Sequence, residues 1–396
     1  MFRPTSGKIP DGDERLMLPS ITIVIPAYNH EGHVVQTLDS CLDSGLPDVE
    51  IVICDDASGD ATAERIEAWV RDHGSHLRRV KFIRHTKNTG LCAAMNELVA
   101  EASGEFIHYI DSDDYFLPGG LLTKTLAVAE RPDWLAGFCD GQAVGPEGEL
   151  FSPSLIALGS FIPSRLTTEG MGEELLYHWG PPVHQMTWRR TAFKAHGGAF
   201  EYDPRVFCPD YDSALWAAGQ RALGYIPAVC QAYRYRSFTQ TSGREPIMSA
   251  RDNAYVLGKN AQYFPPHLQA GFRTLALMHY NRAIGDTTQS GYLEEMHKAG
   301  HEAYLRRVAE NGDTPSCAPA CETDDYGLLL ASLQKRIGEL EDKLASRRTE
   351  LQRVKAAARE TTARQRDLLE DYRHRLRHHG ASPLRALALW WRSKKD

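Results

Sequence analysis

The 396-residue sequence contains no hydrophobic run long enough to cross a membrane, which takes about 20 consecutive apolar residues. Its N-terminal segment, residues 1–18, is polar and lacks the apolar core of a secretory signal. Hydrophobic residues make up 42% of the chain and charged residues 24%, as in an ordinary soluble protein. We therefore expect a cytoplasmic protein with one large domain and appendages, or with two domains.

Paired metal-binding cysteines are also lacking. The eight cysteines are scattered, and several fall inside predicted strands and helices, where a thiol packs as a small hydrophobic side chain. Cys317 and Cys321 flank a short Ala-Pro-Ala loop, but no second Cys or His pair accompanies them. A structural zinc site is therefore not expected.

Positive charge is scarce outside the C-terminal segment. Residues 330–396 contain 17 Lys and Arg against 9 Asp and Glu, a net charge of +8. Because the whole chain has a charge of −7, residues 1–329 carry −15. A body this acidic argues against a nucleic-acid enzyme, whose binding face would be basic. The basic segment suggests contact with a negatively charged surface.

Strands and helices alternate through the first part of the chain. Apolar segments at 21–25, 49–54, 80–83, 106–110 and 136–139 predict five strands, and helical spacing of apolar residues follows each of the first four. Pro26 is expected to stop the first strand. This alternation implies right-handed crossovers, so we predict an α/β fold with a mostly parallel sheet flanked by helices.

Three carboxylates follow the fourth strand within four residues, in Asp111-Ser112-Asp113-Asp114. Burying such charges unpaired would cost on the order of several kcal/mol each. They should therefore face water, as a solvated acidic turn, or hold a divalent cation. Their hard oxygen ligands would suit Mg²⁺ or Mn²⁺.

Polar residues also follow the first three strands, at 26–29, 55–60 and 84–88. In a parallel sheet these positions meet at one edge, outside the carboxyl ends of the strands, where ligands bind. Helix capping is the simpler interpretation of the acidic residues, but Asp55 and Asp56 come too early for both to be caps. The sequence therefore predicts a binding site at this edge.

These motifs resemble glycosyltransferase family 2, the nucleotide-sugar-dependent inverting glycosyltransferases of GT-A fold. The resemblance covers roughly residues 20–245, and its segments occur in order and at the expected spacing. They are Val24–Asn29, Asp55–Asp60, Asn88–Gly90 with Asn96, and Gly104–Asp114. One departure is Met95, where the family often has Arg. A phosphate or base contact is then lost, or is supplied by Arg84 or Lys87.

The resemblance implies roles for individual residues. Asp55 or Asp56 would accept a hydrogen bond from the imide N–H of uracil or thymine. Asp111 would approach the ribose and the donor sugar, and Asp111 and Asp113 would hold a divalent metal, Mn²⁺ or Mg²⁺, on the diphosphate. The remaining donor pocket would be lined by Pro26, Ala27, Asn29, Asn88 and Gly90.

Residues 207–212 open an apolar helix where the family usually has Glu-Asp, of which the Asp is the general base. Here Pro209 replaces the Glu and Asp210 keeps the place of the base, with Asp212 as the second choice. The simpler interpretation is a helix start, with Pro in the first turn and Asp on the helix dipole, and both can hold at once. One base without a covalent nucleophile implies inversion of configuration.

Residues 233–237 resemble the Tyr-Arg-x-His segment that lies near the donor diphosphate in the family. Arg236 stands where His is usual. A guanidinium can donate to phosphate oxygens but cannot ligate a metal. Any metal would then depend more on Asp113 and on the diphosphate itself.

The rest of the chain divides by pattern into a polar tail, the GT-A domain, a helical extension, a linker, a coiled coil and a basic amphipathic tail. A heptad repeat from Leu330 predicts homo-oligomerisation through 330–375, or else a partner protein or a lone solvated helix. Residues 383–395 suit the interface of an anionic membrane, although packing on the body is an equal alternative. The predicted bounds are 1–18, 19–250, 251–310, 311–328, 329–378 and 379–396.

We therefore predict an inverting, hexosyltransferase-type enzyme in surface glycan synthesis, cytoplasmic or peripheral on the inner face of the membrane. It would move a sugar from a UDP-linked or similar donor to a hydroxyl of a saccharide or lipid-linked acceptor. The rival is a catalytically silent GT-A scaffold, which Pro209, Met95 and Arg236 suggest. A nucleotidyltransferase would need a Gly-rich phosphate loop after the first strand, and none is present.

Overall fold

The computed structural model describes residues 19–44, 46, 49–178, 186–207, 209–235 and 246–311, and within them nine strands form one sheet. The spatial order is β3-β2-β1-β4-β8-β6-β9-β5, with β7 on the edge of β6. In chain order, β1 to β9 are Ile21–Ala27, Val49–Asp55, Arg79–Arg84, Phe106–Tyr109, Tyr115–Phe116, Ala136–Val144, Leu150–Ser152, Met186–Arg189 and Leu223–Arg234.

Ten α-helices lie in the same described ranges and cover the sheet. Two short ones follow β7, and three longer ones follow β9. In chain order, α1 to α10 are Val34–Asp43, Thr62–His73, Leu91–Glu101, Gly120–Ala129, Leu155–Leu158, Met171–Tyr177, Pro209–Gly219, Pro246–Asn260, Pro266–Ala283 and Thr287–Glu310. Among these residues no helix combines the length and apolarity that a membrane crossing requires.

The sheet is mixed, so the prediction of a mostly parallel sheet flanked by helices is confirmed only in part. β6 pairs in parallel with β9, but half of the strand pairings in the described ranges are antiparallel. β1 pairs in parallel with β2 and β4, and β2 pairs in parallel with β3. Beyond β4, however, β8 enters antiparallel to both β4 and β6, and β5 runs antiparallel to β9. β1 and β2 are buried on both faces, and their sequences are therefore almost continuously apolar. The strands beyond β4 lack such a continuous apolar sequence.

β1 continues through Pro26 to Ala27, contrary to the prediction that Pro26 would stop it. Residues two apart in a strand point their backbone groups to the same side. Val24 accepts from the N–H of Ile110 on the β4 side, over 3.3 Å, so the missing N–H of Pro26 also falls on that side. The pairing with β4 extends only to Val24, and the proline therefore removes no ladder bond there.

The alternation of side chains along β1 separates two hydrophobic layers. Ile23 and Ile25 pack with Leu38 of α1 on one face, whereas Val24 joins Leu98 of α3 on the other. The second layer is the larger and reaches α6, α7, α8 and α9. Leu175, Leu215, Val256 and Phe272 all belong to it.

Helices α8 and α9 thus share one apolar core with the sheet domain, whereas Tyr304 and Val308 of α10 pack in a smaller cluster with Ile162. The predicted N-terminal tail, linker, coiled coil 330–375 and membrane-binding stretch 383–395 lie outside the described residues. So does Arg236.

Candidate active site

The loops after β1 and β2 are joined at the carboxyl edge of the sheet. The Asn29 N–H donates to Ser58 Oγ over 2.9 Å, and the Gly59 N–H donates to Asn29 Oδ1 over 2.8 Å. Asn29 and Ala57 have φ values of 55° and 61°, in the left-handed region. Asn tolerates this conformation, whereas for Ala it costs about 1–2 kcal/mol. The joined loops therefore hold a strained shape at the predicted donor pocket.

Asp55 ends β2 and shapes the turn that follows it. Its carboxylate accepts hydrogen bonds from the N–H of Ser58 over 3.0 Å and from the Ser58 hydroxyl. Asp55 as a whole is only 1% exposed. Pro26 and Ala27 lie beside it, in register with Cys54 and Asp55. The structure thus brings together Pro26, Ala27, Asn29 and Asp55, as the sequence predicts.

Asp56 holds the loop between β3 and α3. Its Oδ1 lies 2.7 Å from His85 Nδ1 and accepts from the Thr89 N–H over 2.8 Å, while its Oδ2 accepts from the Gly90 N–H over 2.8 Å. Its carbonyl accepts from Asn88 Nδ2 over 3.1 Å. Burial acts to raise the pKa of Asp56, but the hydrogen bonds from His85, Thr89 and Gly90 outweigh it and lower that pKa. Asp56 therefore stays ionised and fixes Asn88 and Gly90 in place.

Arg84 and Lys87, the two cations proposed to supply the contact of the family's Arg, differ in position. Met95 is buried in the core with 1% exposure, and Arg84 binds Glu64 and Glu67 on the outer surface of α2, over 2.7 and 3.1 Å. Lys87 is exposed in the loop before Asn88. Of the two cations, Lys87 is thus the one on the donor side.

The acidic loop after β4 alternates between half-buried and buried side chains. Asp111 and Asp113 remain partly exposed, whereas Ser112 and Asp114 are buried. The Tyr109 hydroxyl donates to Asp111 Oδ1 over 2.5 Å. His30 Nδ1, from the loop after β1, lies 2.7 Å from Ser112 Oγ and 3.7 Å from Asp113 Oδ1. The two predicted metal ligands are therefore both accessible from solvent.

Arg234, at the end of β9, holds the acidic loop from behind. It is 3% exposed, and its backbone N–H donates to Asp114 Oδ1 over 2.8 Å. Its guanidinium donates to the carbonyls of Asp113, Gly145 and Pro146 over 3.0, 3.1 and 2.7 Å. Burial, with Asp113 and Asp111 nearby, raises the pKa of Asp114 well above its ordinary value. Sequence reasoning did not assign this role to Arg234, because nothing in the pattern shows which carbonyls a buried guanidinium will meet.

Asp111 and Asp113 offer the hard oxygen ligands that Mg²⁺ and Mn²⁺ prefer, so their chemistry fits a divalent cation. No group of three or more His, Cys, Asp or Glu side chains within the described ranges is arranged to hold a metal ion by itself. A cation at Asp111 and Asp113 would therefore need further ligands, such as phosphate oxygens of a bound nucleotide.

Asp210 lies in the first turn of α7 and is half-buried. Burial raises its pKa, backbone hydrogen bonding partly opposes this, and Asp212 adds to the rise. Burial also raises the pKa of the Tyr233 phenol, and the negative charges of Asp114, Asp111, Asp113 and Asp210 add to that effect. The acidic loop and Asp210 thus both lie within electrostatic range of the Tyr233 phenol.

Asp212, two residues further along α7, is 1% exposed. Its Oδ2 accepts from Lys259 Nζ over 2.6 Å, and its Oδ1 accepts from Asn260 Nδ2 over 2.7 Å. Residues two apart in an α-helix are about 200° apart around its axis. Asp212 is therefore committed to holding α8, and Asp210 is the better candidate base.

Comparison with known proteins relates part of the chain to a protein family. Residues 22–195 match the family model described as Glycosyl transferase family 2. These residues therefore match a family 2 glycosyltransferase domain. The resemblance predicted from the motifs is therefore confirmed.

Two curated relatives of this domain are chondroitin synthases. Over 101 residues, 26% of this chain, it is 37% identical to the chondroitin synthase of Escherichia coli, and the match covers 14% of that protein. Over 163 residues, 38% of this chain, it is 34% identical to the chondroitin synthase of Pasteurella multocida, and the match covers 15% of that protein. The matched part therefore spans only a small share of these longer relatives.

A crystal structure of S. aureus TarS, residues 1–349, in complex with UDP-GlcNAc is similar in fold. The TM-score is 0.50 at 16% sequence identity, covering 66% of this chain and 73% of the TarS chain. At this identity the likeness bears on the fold alone. It supports the GT-A type of sheet with flanking helices for the glycosyltransferase domain.

Proposed function

We propose that this glycosyltransferase is an inverting hexosyltransferase. It transfers a sugar from a nucleoside-diphosphate donor to a hydroxyl group of a saccharide or lipid-linked acceptor in surface glycan synthesis. The observation that carries the proposal is the pair of half-buried carboxylates Asp111 and Asp113, in a loop that His30 links to the loop after β1, together with Asp210 in the first turn of α7. A base and a diphosphate-binding loop must lie on opposite sides of one reacting carbon, and this arrangement suits that requirement.

Asp210 is the proposed general base. It takes the proton from the acceptor hydroxyl, whose oxygen attacks the anomeric carbon from the face opposite the nucleotide. The raised pKa of Asp210 brings its basicity closer to neutral pH, where general bases work best. No covalent nucleophile takes part, so the configuration at the anomeric carbon inverts.

The donor nucleotide is proposed to bind at the joined loops after β1 and β2. Tyr28 is 48% exposed there and offers an aromatic face for the base. Asp55 retains acceptor capacity for an imide N–H, which favours uracil and hence a UDP-linked sugar. Asp56 has less capacity left, because three donors already converge on its Oδ1.

Asp111 and Asp113 would hold a divalent cation, Mn²⁺ or Mg²⁺, which supplies positive charge to the departing diphosphate when it is bound. The buried guanidinium of Arg234 keeps the backbone of Asp113 in position for this task. The chondroitin synthases are polysaccharide-forming enzymes by name, and we extend a saccharide acceptor to this chain on that basis.

The test is a thermal-shift panel of nucleoside diphosphates and nucleotide sugars, with and without Mn²⁺, on the wild type and on Asp113→Ala. A nucleotide that binds the folded state raises the melting temperature. We expect a Mn²⁺-dependent rise for uridine nucleotides that is lost in Asp113→Ala.

The matched control is Asp72→Ala, because the Asp72 side chain is 61% exposed on α2, away from the acidic loop. Asp72→Ala should respond as the wild type does. If no nucleotide stabilises the wild type, with or without the metal, the enzyme proposal fails and a silent scaffold becomes the better account.

A further inference from the structure

A cleft of about 370 Å³ opens beside α7, among residues 199–205, Trp216, Lys259 and Tyr263. Its volume lies within the range of ~300–1,000 Å³ typical of small-molecule sites. Asp212 lines the cleft, and Asp212 and Trp216 lie about 200° and 240° around the helix from Asp210. The cleft is therefore on the opposite side of α7 from the proposed base.

Aromatic rings form part of this cleft. Tyr263 is 40% exposed at its rim. Trp216 is half-buried, and its ring centroid lies 5.0 Å from that of Phe200, which backs it from the core. An indole and a phenol held in this way present flat apolar surfaces, on which the C–H faces of a sugar ring can stack.

The charged groups of the cleft neutralise one another. Lys194 binds Glu201 over 2.8 Å, Arg205 binds Asp203 over 2.8 Å, and Lys259 binds Asp212 over 2.6 Å. The Tyr255 hydroxyl also donates to Asp203 Oδ2 over 2.8 Å. The three acids and three bases that line the cleft thus leave no net charge. Their remaining donor and acceptor positions suit a ligand that is uncharged and rich in hydroxyl groups.

The cleft lies close to the reaction site along α7, and Tyr202 forms part of its wall. Tyr202 is 4% exposed and precedes Asp203 in the same loop. Burial raises the pKa of its phenol, and Cys92, Asp210 and Asp212 add to the rise. Asp212, which lines the cleft, is two residues from Asp210 on α7, so one helix width of about 10 Å separates the cleft from the proposed base. A chain of linked sugars that starts at Asp210 can span that distance.

We infer that this cleft binds an uncharged sugar unit of the acceptor glycan, other than the unit whose hydroxyl reacts. The inference rests on the proposed transferase function and extends it, because it assigns the acceptor a second contact and a neutral character. An acceptor with several sugar units would then be used better than a single sugar.

The first experiment measures binding alone, without a donor. Full-length protein is titrated with chito-, cello- and manno-tetrasaccharides and with a uronic-acid-containing tetrasaccharide, and saturation-transfer NMR and tryptophan fluorescence are recorded. We expect a response to at least one neutral tetrasaccharide that weakens about fivefold or more in Tyr263→Ser.

The control is Tyr280→Ser, an exposed tyrosine of α9 that does not line the cleft and is 53% exposed. It should bind as the wild type does. Trp216→Leu serves as a second variant, and circular dichroism confirms that each variant is folded. No response to any neutral tetrasaccharide, a preference for the acidic one, or equal binding by both cleft variants and the wild type overturns the inference.

The two proposals can fail separately. If uridine nucleotides bind through Asp113 but no neutral tetrasaccharide binds, the cleft inference alone fails. If a neutral tetrasaccharide binds through Tyr263 but no nucleotide stabilises the protein, the transferase proposal fails and the cleft stands as a saccharide-binding site.

Discussion

The buried guanidinium of Arg234 donates from Nε to the backbone carbonyl of Asp113 over 3.0 Å. A residue at the end of β9 thus positions the loop that follows β4, although more than a hundred residues separate them in sequence. Planar, multiply donating geometry is what distinguishes Arg from Lys at such a site. The contact also explains how a loop with three carboxylates keeps one backbone conformation.

Arg234→Lys should therefore weaken both the fold and the proposed metal-dependent binding. An ammonium group cannot reach the carbonyls of Asp113, Gly145 and Pro146 together with Gln36, so some buried acceptors lose their donor. We expect a loss of about 3 kcal/mol in the free energy of unfolding and about tenfold weaker Mn²⁺-dependent nucleotide binding.

Urea unfolding and thermal-shift titration measure these two effects. Arg71→Lys is the control, because the Arg71 side chain is 72% exposed and should tolerate the change. Unchanged stability of Arg234→Lys would show that the guanidinium does not support the loop.

Asp210 and Asp212 should respond differently to the same substitution. Asp210→Asn removes the proposed base, and we expect transfer to fall by about 10²–10⁴-fold with little change in melting temperature. Asp212→Asn removes the nearer of the two carboxylates that face Lys259, at 2.6 Å, and leaves only Asp203 at 3.6 Å, so it should cost about 1–2 kcal/mol of stability.

Single-turnover transfer assays and melting temperatures, measured on both variants, separate the two outcomes. Equal losses of transfer in properly folded Asp210→Asn and Asp212→Asn would contradict the assignment of Asp210 as the base.

His279 on α9 should make the stability depend on pH. Burial, together with the positive charges of the nearby Arg282 and His297, lowers its pKa to about 4. Because the folded state disfavours the charged form of His279, the free energy of unfolding has its full value above the pKa of an unfolded histidine, about 6.5. The free energy of unfolding decreases as the pH falls from 6.5 to about 4, and below pH 4 the contribution of His279 no longer changes.

We expect a loss of about 2–3 kcal/mol over this interval, which urea unfolding at pH 7.5, 5.5 and 4.5 will measure. His279→Gln should flatten the dependence, whereas His267→Gln, on an exposed position of the same helix, should not. The same slope in all three proteins would refute the assignment to His279.

Two glycines should respond in opposite directions to alanine. A Cβ on Gly224 of β9 would lie 2.1 Å from the ring of the buried Trp134, whereas one on Gly258 of α8 would meet nothing within 4 Å. Gly224→Ala should destabilise the protein by about 2 kcal/mol or more through overpacking. Gly258→Ala should stabilise it by about 0.5–1 kcal/mol because alanine favours the helix. Thermal unfolding compares them, and a stable Gly224→Ala would mean that Trp134 can move.

The sequence predicts the parallel half of the sheet well because strands buried on both faces are almost continuously apolar. It does not show the antiparallel pairing of β8, because Met186–Arg189 is short and nothing in a strand of four residues indicates the direction of its partner. The prediction that Pro26 stops β1 was wrong for a related reason. Whether a proline breaks a strand depends on where the neighbouring strand ends, and that is a tertiary property.

The candidate site shows the same limits. The motifs place Asp55, Asp111 and Asp113 on one edge because parallel strands share their carboxyl ends. They do not separate Asp210 from Asp212, which are alike in type and two residues apart, since the difference lies in what packs against each side of α7. The roles of Arg234 and Tyr233 likewise depend on contacts across the sheet, and no local pattern reveals them.

The family match ends at residue 195, but the folding unit does not. A fragment cut at that residue would lose β9, which lies between β6 and β5 and joins them in the sheet. It would also lose Leu215 and Phe272 from the larger hydrophobic layer. The segment that matches the family model is therefore shorter than the folded unit, and an expression fragment has to extend through α9 to keep β9 in the sheet and the larger hydrophobic layer covered.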